Sequence, residues 1–365
     1  MQVVMRNFMY AASGFGSAAR EIAFAMEDLG ADVKVDVMGP RDGNLAPDVL
    51  RRIKRLEDKP SHPDQVLVTL DWDYKPAIHG HYRKAISCVM FETTRAPQPY
   101  VEGCNQFDGL ILPNEFNYQA FRDAGVRVPI YLARYGVNTH VFSQKGKRDR
   151  QKQSQRRFVF LSVFGWSDRK GPDILVRAFL EEFDASEPVT LLIKTFGRTI
   201  HEFPHEWYDD IVRQVQNPSR PRVKLIVDDR TPEDMAALYR GSNCFVLPTR
   251  GEGVGLPILE SMACGVPVIA TGWSGHLDFF DHRSGYLIPY KLEPAHPVWF
   301  TNLYQPNQMW ANPEIGALRT LMRRVYLHQS EAKQKGQNGA SLARKWTWSQ
   351  TAQDFLAAVH EIAGR

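Results

Sequence analysis

The sequence contains no uninterrupted apolar run of about 18 residues, the length a membrane-spanning helix needs. No signal-peptide pattern is present either: Arg6, Arg20, Glu21 and Asp28 break up residues 1–30, which are read as part of the fold. Cysteine is scarce. The four present (Cys88, Cys104, Cys244 and Cys264) lie far apart, with no CxxC pair and no Cys/His cluster. That argues against a disulfide framework or a structural zinc site and makes a reducing, cytoplasmic setting the expectation. HExxH, GxSxG and P-loop motifs are missing. Net charge is small: 45 Lys and Arg against 41 Asp and Glu leave +4. Such a balance fits anionic substrates or an anionic lipid surface without demanding either, and nucleic acid is not an expected partner.

What is present is strand–helix alternation. The 365 residues, 43% hydrophobic and 24% charged, exceed one ordinary core and suit two domains of roughly 150–200 residues. Continuous apolar runs at 2–8, 32–37, 66–70, 86–91, 108–112 and 129–132 form one strand series. Runs at 158–163, 189–195, 223–227, 244–247, 266–270 and 285–288 form a second. Because these runs do not alternate with polar residues, the strands are expected to be buried on both faces. Between them lie helix signals: a stripe of Ile22, Ala25, Met26 and Leu29 stopping at Gly30, and an N-cap pattern at Thr231-Pro232-Glu233-Asp234. The fold class is therefore α/β, with two doubly wound parallel sheets, each offering a crevice beyond the carboxyl ends of its strands. The polar, basic stretch 143–157 reads as an exposed linker, so domains are expected at 1–150 and 156–348. Peripheral contact of that basic linker (145–157) with the inner face of a membrane is the second reading of its charge.

The most informative segment is 241–276. A buried strand at 244–247 runs into a loop with Gly251, Gly253 and Gly255, and Pro257 then opens a helix. Glycines allow a backbone to approach a ligand closely, and helix-start amides favour an anion. The loop also carries Glu252 and the helix Glu260, with seven residues between them. Carboxylates accept hydrogen bonds from neighbouring hydroxyls. Acids beside phosphate-binding amides describe a site for a polyol joined to a phosphate, which is a nucleotide sugar. The plain alternative is a capped helix beside a solvated loop acid.

Arg250-Gly-Glu-Gly-Val-Gly-Leu-Pro257 and Glu260 resemble the E-x7-E signature of retaining GT-B glycosyltransferases, glycosyltransferase family 4, in a bacterial subgroup that usually has Trp where Val254 stands. The resemblance implies two Rossmann-like domains facing a central cleft, and transfer of a sugar from a nucleotide diphosphate sugar, a UDP-sugar ahead of a GDP-sugar. It implies that Glu260 holds the ribose hydroxyls, and that Glu252, Gly253, Val254, Gly255 and Leu256 hold the transferred sugar. Ser162-Val-Phe-Gly-Trp-Ser-Asp-Arg-Lys-Gly171 resembles the family's Arg-Lys-Gly turn, where Lys170 meets the phosphates. Many members carry Arg where Trp166 stands, so Arg169 is the substitute cation. Tyr10-Ala-Ala-Ser-Gly-Phe-Gly-Ser17, with Gly14 and Gly16, resembles the glycine-rich loop over the donor diphosphate and acceptor. Phe91-Glu-Thr-Thr-Arg95 resembles a subgroup motif in which Glu92 touches the sugar or acceptor; an ion pair of Glu92 with Arg95 is the alternative. Tyr135-Gly-Val-Asn-Thr-His-Val-Phe142 resembles the hinge signature. Thr271-Gly-Trp-Ser-Gly-His-Leu-Asp278 resembles the loop adjoining the sugar site, with Ser274 a contact and His276 structural. The segment from Trp346 and the helix 349–365 resemble the stretch that rejoins the first domain.

The implied enzyme is a metal-independent hexosyltransferase without a cofactor, acting on a glycan, lipid-linked or small-molecule acceptor. Asp71-Trp-Asp73 spells the DxD of metal-dependent transferases, but the two strand series favour a strand-end loop. His79-Gly-His81 lacks a further ligand at metal spacing. The Lys/Arg clusters at 51–55 and 319–324 read as exposed helix faces. A sugar-nucleotide epimerase or phosphorylase of the same fold, and a non-catalytic nucleotide-sugar-binding partner subunit, are the rival readings.

Overall fold

The structure, a computed structural model, describes residues 1–11, 13–41, 45–70, 73–149, 157–195, 204–296 and 303–365. The chain divides into two compact units, Met1–Gly136 with Trp346–Arg365, and Val137–Lys345.

The first unit runs β1 (Gln2–Asn7), α1 (Gly14–Asp28), β2 (Val33–Val37), α2 (Pro47–Glu57), β3 (Gln65–Thr69), α3 (Pro76–His79), β4 (Lys84–Cys88), α4 (Gln98–Cys104), β5 (Gly109–Leu112), α5 (Glu115–Ala124) and β6 (Ile130–Leu132). Its sheet has the order β2-β1-β3-β4-β5-β6, with every pairing parallel. The second unit holds β7 (Phe158–Val163), α6 (Pro172–Glu182), β8 (Val189–Lys194), α7 (Pro204–Gln214), β9 (Arg222–Ile226), α8 (Pro232–Gly241), β10 (Cys244–Leu247), α9 (Leu256–Ala263), β11 (Val268–Thr271) and β12 (Gly285–Ile288). A hairpin, β13 (Tyr290–Pro294) and β14 (Met309–Pro313), precedes α10 (Ile315–Leu327) and α11 (Gln329–Ala343). The second main sheet, β12-β11-β10-β7-β8-β9, is also wholly parallel. Finally α12 (Trp348–Gly364) returns to the first unit. There Trp348 lies 5.6 Å from the Tyr135 ring, and Thr351 donates to the Arg134 carbonyl at 2.7 Å.

All twelve strands read from the sequence are present; the central ones are buried on both faces, whereas the edge strands β2, β6 and β9 are partly exposed, against expectation, because no neighbouring strand covers their outer side. Phe160, Leu191, Phe245 and Val246 in one sheet, and Leu67, Ile86 and Leu110 in the other, are fully enclosed. Each such side chain contributes about 1.5–3 kcal/mol on burial. The antiparallel hairpin β13–β14 was not legible, because its two short strands are split by residues 295–308 and bounded by prolines.

Both sheets reverse strand order beside one strand. In the second unit the reversal falls between β7 and β10, so the loops leaving those two strands emerge side by side at the crevice. In the first unit it falls between β1 and β3, at the strand that feeds the glycine-rich loop.

Two local expectations are corrected. Helix α1 buries Ala18, Ala19, Ile22, Ala23 and Met26, whereas Leu29 caps its end and is exposed, since a cap residue turns off the helical face. The stretch 143–149 is exposed but not a free tether. Arg240 of α8 donates to the carbonyls of Val141, Ser143 and Lys147, and Arg230 pairs with Asp149 at 2.7 Å. Residues 150–156 of that stretch lie outside the described residues. The basic clusters keep exposed helix faces, as at Lys54, Arg55 and Arg324, with several of their charges paired: Arg52 and Arg55 meet Glu27, while Arg319 and Arg323 meet Glu182. Among the described residues no helix is long and apolar enough to cross a membrane.

Candidate functional site

Two loops form the site, one after β7 and one after β10. The β7 loop closes with a 3-10 turn, Asp168–Lys170, and Gly171, which then opens α6 at Pro172. Gly171 adopts φ +67, and a Cβ there would meet the Pro248 carbonyl oxygen at 2.2 Å. Only glycine lets the two loops approach this closely. The backbone then joins them: the Arg250 N–H donates to the Arg169 carbonyl at 2.7 Å. Arg169 returns a guanidinium hydrogen bond to the Gly251 carbonyl at 2.5 Å.

This staple brings Lys170 to Glu252. The ammonium lies 2.6 and 2.7 Å from the two carboxylate oxygens, and Arg169 lies 3.8 Å from the nearer one. The Glu252 side chain is 5% exposed, Lys170 16% and Arg169 17%. Burial pushes the Glu252 carboxyl up, but the Lys170 and Arg169 charges outweigh it, so the group sits below its ordinary value and is ionised. The acid is therefore not a solvated loop residue. It is a buried carboxylate poised between two cations.

Ser274 supports Glu252 from behind. Its hydroxyl accepts the Glu252 N–H at 2.9 Å, and the Gly275 N–H donates to the Glu252 carbonyl at 3.0 Å. Ser274 is the one non-glycine residue at positive φ (89°) among the described residues, a strained conformation found where surroundings hold it in place. His276, fully buried, lies with Nε2 2.7 Å from the Thr271 carbonyl, which assigns the proton to Nε2. Its Nδ1 is then an acceptor, 3.4 Å from the Ser274 hydroxyl. Burial pushes this imidazole below its ordinary value, so it is neutral.

Gly255, at φ +85, turns the β10 loop into α9 with no side-chain cap, and Val254 is buried just before it. Helix α6 also opens without a side-chain cap. Ser13, Asn114, Thr231 and Thr347 cap α1, α5, α8 and α12, while α2, α4, α10 and α11 share the uncapped start of the site helices. Pro172 and Pro257 carry no N–H and the Ile258 N–H is taken by the Gly255 carbonyl at 2.9 Å, so no side chain of the helix start competes for the remaining first-turn amides. Glu260, one turn into α9 and half-buried, accepts a hydrogen bond from the Tyr239 hydroxyl at 2.8 Å. Lys170, Arg169, Glu252 and Ser274 are thus drawn into one cluster, with Gly253, Val254, Gly255 and Leu256 on the same loop, while Glu260 is anchored by α8.

In the first unit, Ser13 accepts the Gly16 N–H at 3.3 Å. A Cβ at Gly16 would meet the Ala11 carbonyl oxygen at 2.2 Å, whereas one at Gly14 would meet nothing within 4 Å. Glu92 is half-buried after β4. Arg95, its expected alternative partner, donates to the Asp123 carbonyl at 2.5 Å. Asp71 and Trp72 lie outside the described residues; Asp73 pairs with Lys75 at 3.4 Å. His79 is buried against Tyr74 and Phe107 and accepts the Lys75 N–H. Trp166 is buried against Phe164, so Arg169 is the second cation of the turn.

Sequence reasoning assigned no role to Arg250, Asp173 and Tyr239. Arg250 stood inside the recognised motif, directly before Gly251 and Glu252, and that adjacency was the available signal.

Residues 155–295, under half of the chain, match the family model described as Glycosyl transferases group 1. The fold is the GT-B arrangement of two Rossmann-like α/β domains. Sucrose-phosphate synthase from Thermosynechococcus elongatus superimposes with a TM-score of 0.70 at 16% identity, over 99% of this chain and 98% of that one. Anabaena HepE, solved in complex with UDP-glucose, gives 0.69 at 15% identity, over 99% of this chain and all of that one. In sequence, a D-inositol 3-phosphate glycosyltransferase of Corynebacterium efficiens is 26% identical over 195 residues, 53% of this chain and 40% of that protein. A protein of Sulfolobus islandicus filamentous virus is 24% identical over 247 residues, 65% of this chain and 62% of its own length. The chain thus spans less than two thirds of these sequence relatives.

Proposed function

We propose that the chain is a retaining, metal-independent glycosyltransferase, carrying a hexose-type sugar from a nucleotide diphosphate sugar to a glycan, lipid-linked or small-molecule acceptor. The observation that carries this reading is the buried Lys170–Glu252 pair at the reversal point of the second sheet. A UDP-sugar is put ahead of a GDP-sugar because structural neighbours were solved with UDP and UDP-glucose.

In the ligand-free site Glu252 acts as the counter-ion of Lys170. A diphosphate arriving at the turn competes for that ammonium, joined by Arg169 and the uncapped amides of α6 and α9. Glu252 is then released to accept hydrogen bonds from sugar hydroxyls, which keep the buried charge satisfied. Gly253 through Leu256 and Ser274 line the sugar, and Glu260, fixed by Tyr239, takes the ribose hydroxyls. Gly14 and Gly16 approach the diphosphate, and Glu92 touches the sugar or acceptor.

As the bond from the anomeric carbon to phosphate breaks, negative charge grows on the leaving oxygen, where the two cations stabilise it in the role a metal has elsewhere. The acceptor oxygen bonds to the anomeric carbon on the same face, and its proton passes to the departing phosphate. No cofactor takes part. The test is proton NMR of a reaction with UDP-glucose in chelator. Free UDP with an α-configured sugar product supports the proposal; an isomerised nucleotide sugar supports the epimerase reading, and a donor left both unhydrolysed and unisomerised opposes both.

A further inference from the structure

We infer that Arg250 is a positioning residue, which sets the separation of Lys170 and Glu252 and is held in place by the β13–β14 hairpin. The inference rests on the reading that this pair handles a nucleotide sugar.

Arg250 touches both functional loops at once. Its peptide N–H donates to the Arg169 carbonyl at 2.7 Å, and its Nη1 donates to the Asp168 carbonyl at 2.6 Å. The same guanidinium makes a fork with Asp173, in the first turn of α6, at 3.0 and 2.8 Å. One side chain therefore fixes both ends of the Asp168–Lys170 turn to the residue two places before Glu252. The Asp173 carboxylate neutralises it, so Arg250 adds little competition for Glu252.

The hairpin closes the other side. The Ala311 N–H donates to the Arg250 carbonyl at 2.9 Å, and the guanidinium carbon lies 6.0 Å from the Trp310 ring centroid. Glu293 lies 3.8 Å from Arg250 Nε and is itself held by Trp310 Nε1 at 3.2 Å and Asn312 Nδ2 at 2.8 Å. The Arg250 side chain is only 10% exposed, and its Nε has no hydrogen-bond partner among the described residues. Its position is thus imposed by the surrounding groups rather than chosen from solvent. Lysine cannot reproduce the arrangement, since a point charge cannot span Asp168 and both Asp173 oxygens.

A positioning role predicts loss of turnover without loss of donor binding. For the fastest-used donor among UDP-glucose, UDP-N-acetylglucosamine and GDP-mannose, Arg250→Lys is expected to lower kcat about 100-fold while the donor KM moves less than about threefold, the pattern of a small misplacement. Asp173→Asn, which keeps Arg250 and loosens its fork, is expected to lower kcat about 10-fold and covers the case in which Arg250→Lys fails to fold. Arg323→Lys is the structural control. Arg323 is also paired, to Glu182 and Glu187, but on α10, so its variant should lower the Tm and leave kcat unchanged. Wild-type kcat in both Arg250→Lys and Asp173→Asn, or a kcat loss equal to that of Arg323→Lys, would overturn the inference. A wild-type protein that releases no UDP or GDP from any of the three donors overturns the underlying functional reading, and the inference with it.

Discussion

The Lys170 ammonium bridges both oxygens of Glu252, at 2.6 and 2.7 Å, although the two residues stand 82 positions apart. Because Glu252 is buried, the pair is a condition of the folded loop as well as a device for chemistry. Lys170→Ala leaves a buried carboxylate with Arg169 at 3.8 Å as its remaining close cation. Stripping one partner from a buried pair costs about 3–5 kcal/mol, and Arg169 should hold the loss at or below the lower end. Lys170→Met with Glu252→Gln removes both charges and should recover most of that stability in urea unfolding. Turnover should not recover, because the diphosphate has lost its cation; removing one such stabilising group costs about 100- to 1000-fold in kcat. A double variant as unstable as Lys170→Ala would contradict the pairing.

The two glycines of the first loop should behave differently. A Cβ at Gly16 would collide with the Ala11 and Phe8 carbonyl oxygens, so Gly16→Ala should destabilise the protein and displace the loop. Gly14 has open space and an ordinary φ. Gly14→Ala should leave the Tm unchanged or raise it slightly, by the equivalent of up to about 1 kcal/mol in helix propensity, and should reduce turnover if the loop approaches the donor. Equal Tm values for the two variants would refute this difference.

Acid should weaken the second domain through two groups of the same sign. Burial holds the His276 imidazole below its ordinary 6.5, so the unfolded chain takes up a proton through that range while the folded site does not. Stability is full above pH 6.5 and declines below it. Glu252 continues the trend: its carboxyl sits below the ordinary 4.5, and its contribution is lost as pH falls further. Urea midpoints measured from pH 7 to pH 5 should fall in the wild type and fall less in His276→Gln. A flat wild-type profile would show that His276 is not held neutral.

The sheets were legible because buried parallel strands are written as continuous apolar runs, as at Phe158–Val163 and Cys244–Leu247. The β10 loop was legible because Gly251, Gly253 and Gly255 sit beside two acids at fixed spacing. Its three-dimensional support was not. Arg250 reaches Asp173, 77 positions away, and Tyr239 reaches Glu260 across two helices; such contacts leave no periodic trace. The strain at Ser274 was equally silent, since serine gives no sign of positive φ in a sequence. The exposed stretch 143–149 misled because polar composition reports solvent exposure, while its anchoring depends on Arg230 and Arg240 far along the chain.

The most direct test of the site is calorimetric titration of UDP, UDP-glucose and GDP-mannose in the presence of a chelator. The account predicts binding of one nucleotide and its sugar without metal, about 10- to 100-fold weaker in Glu260→Ala after loss of a charged hydrogen-bond acceptor, with Tyr239→Phe intermediate. Undetectable binding of all three ligands by the wild type, or wild-type affinity in Glu260→Ala together with Lys170→Ala, would contradict it.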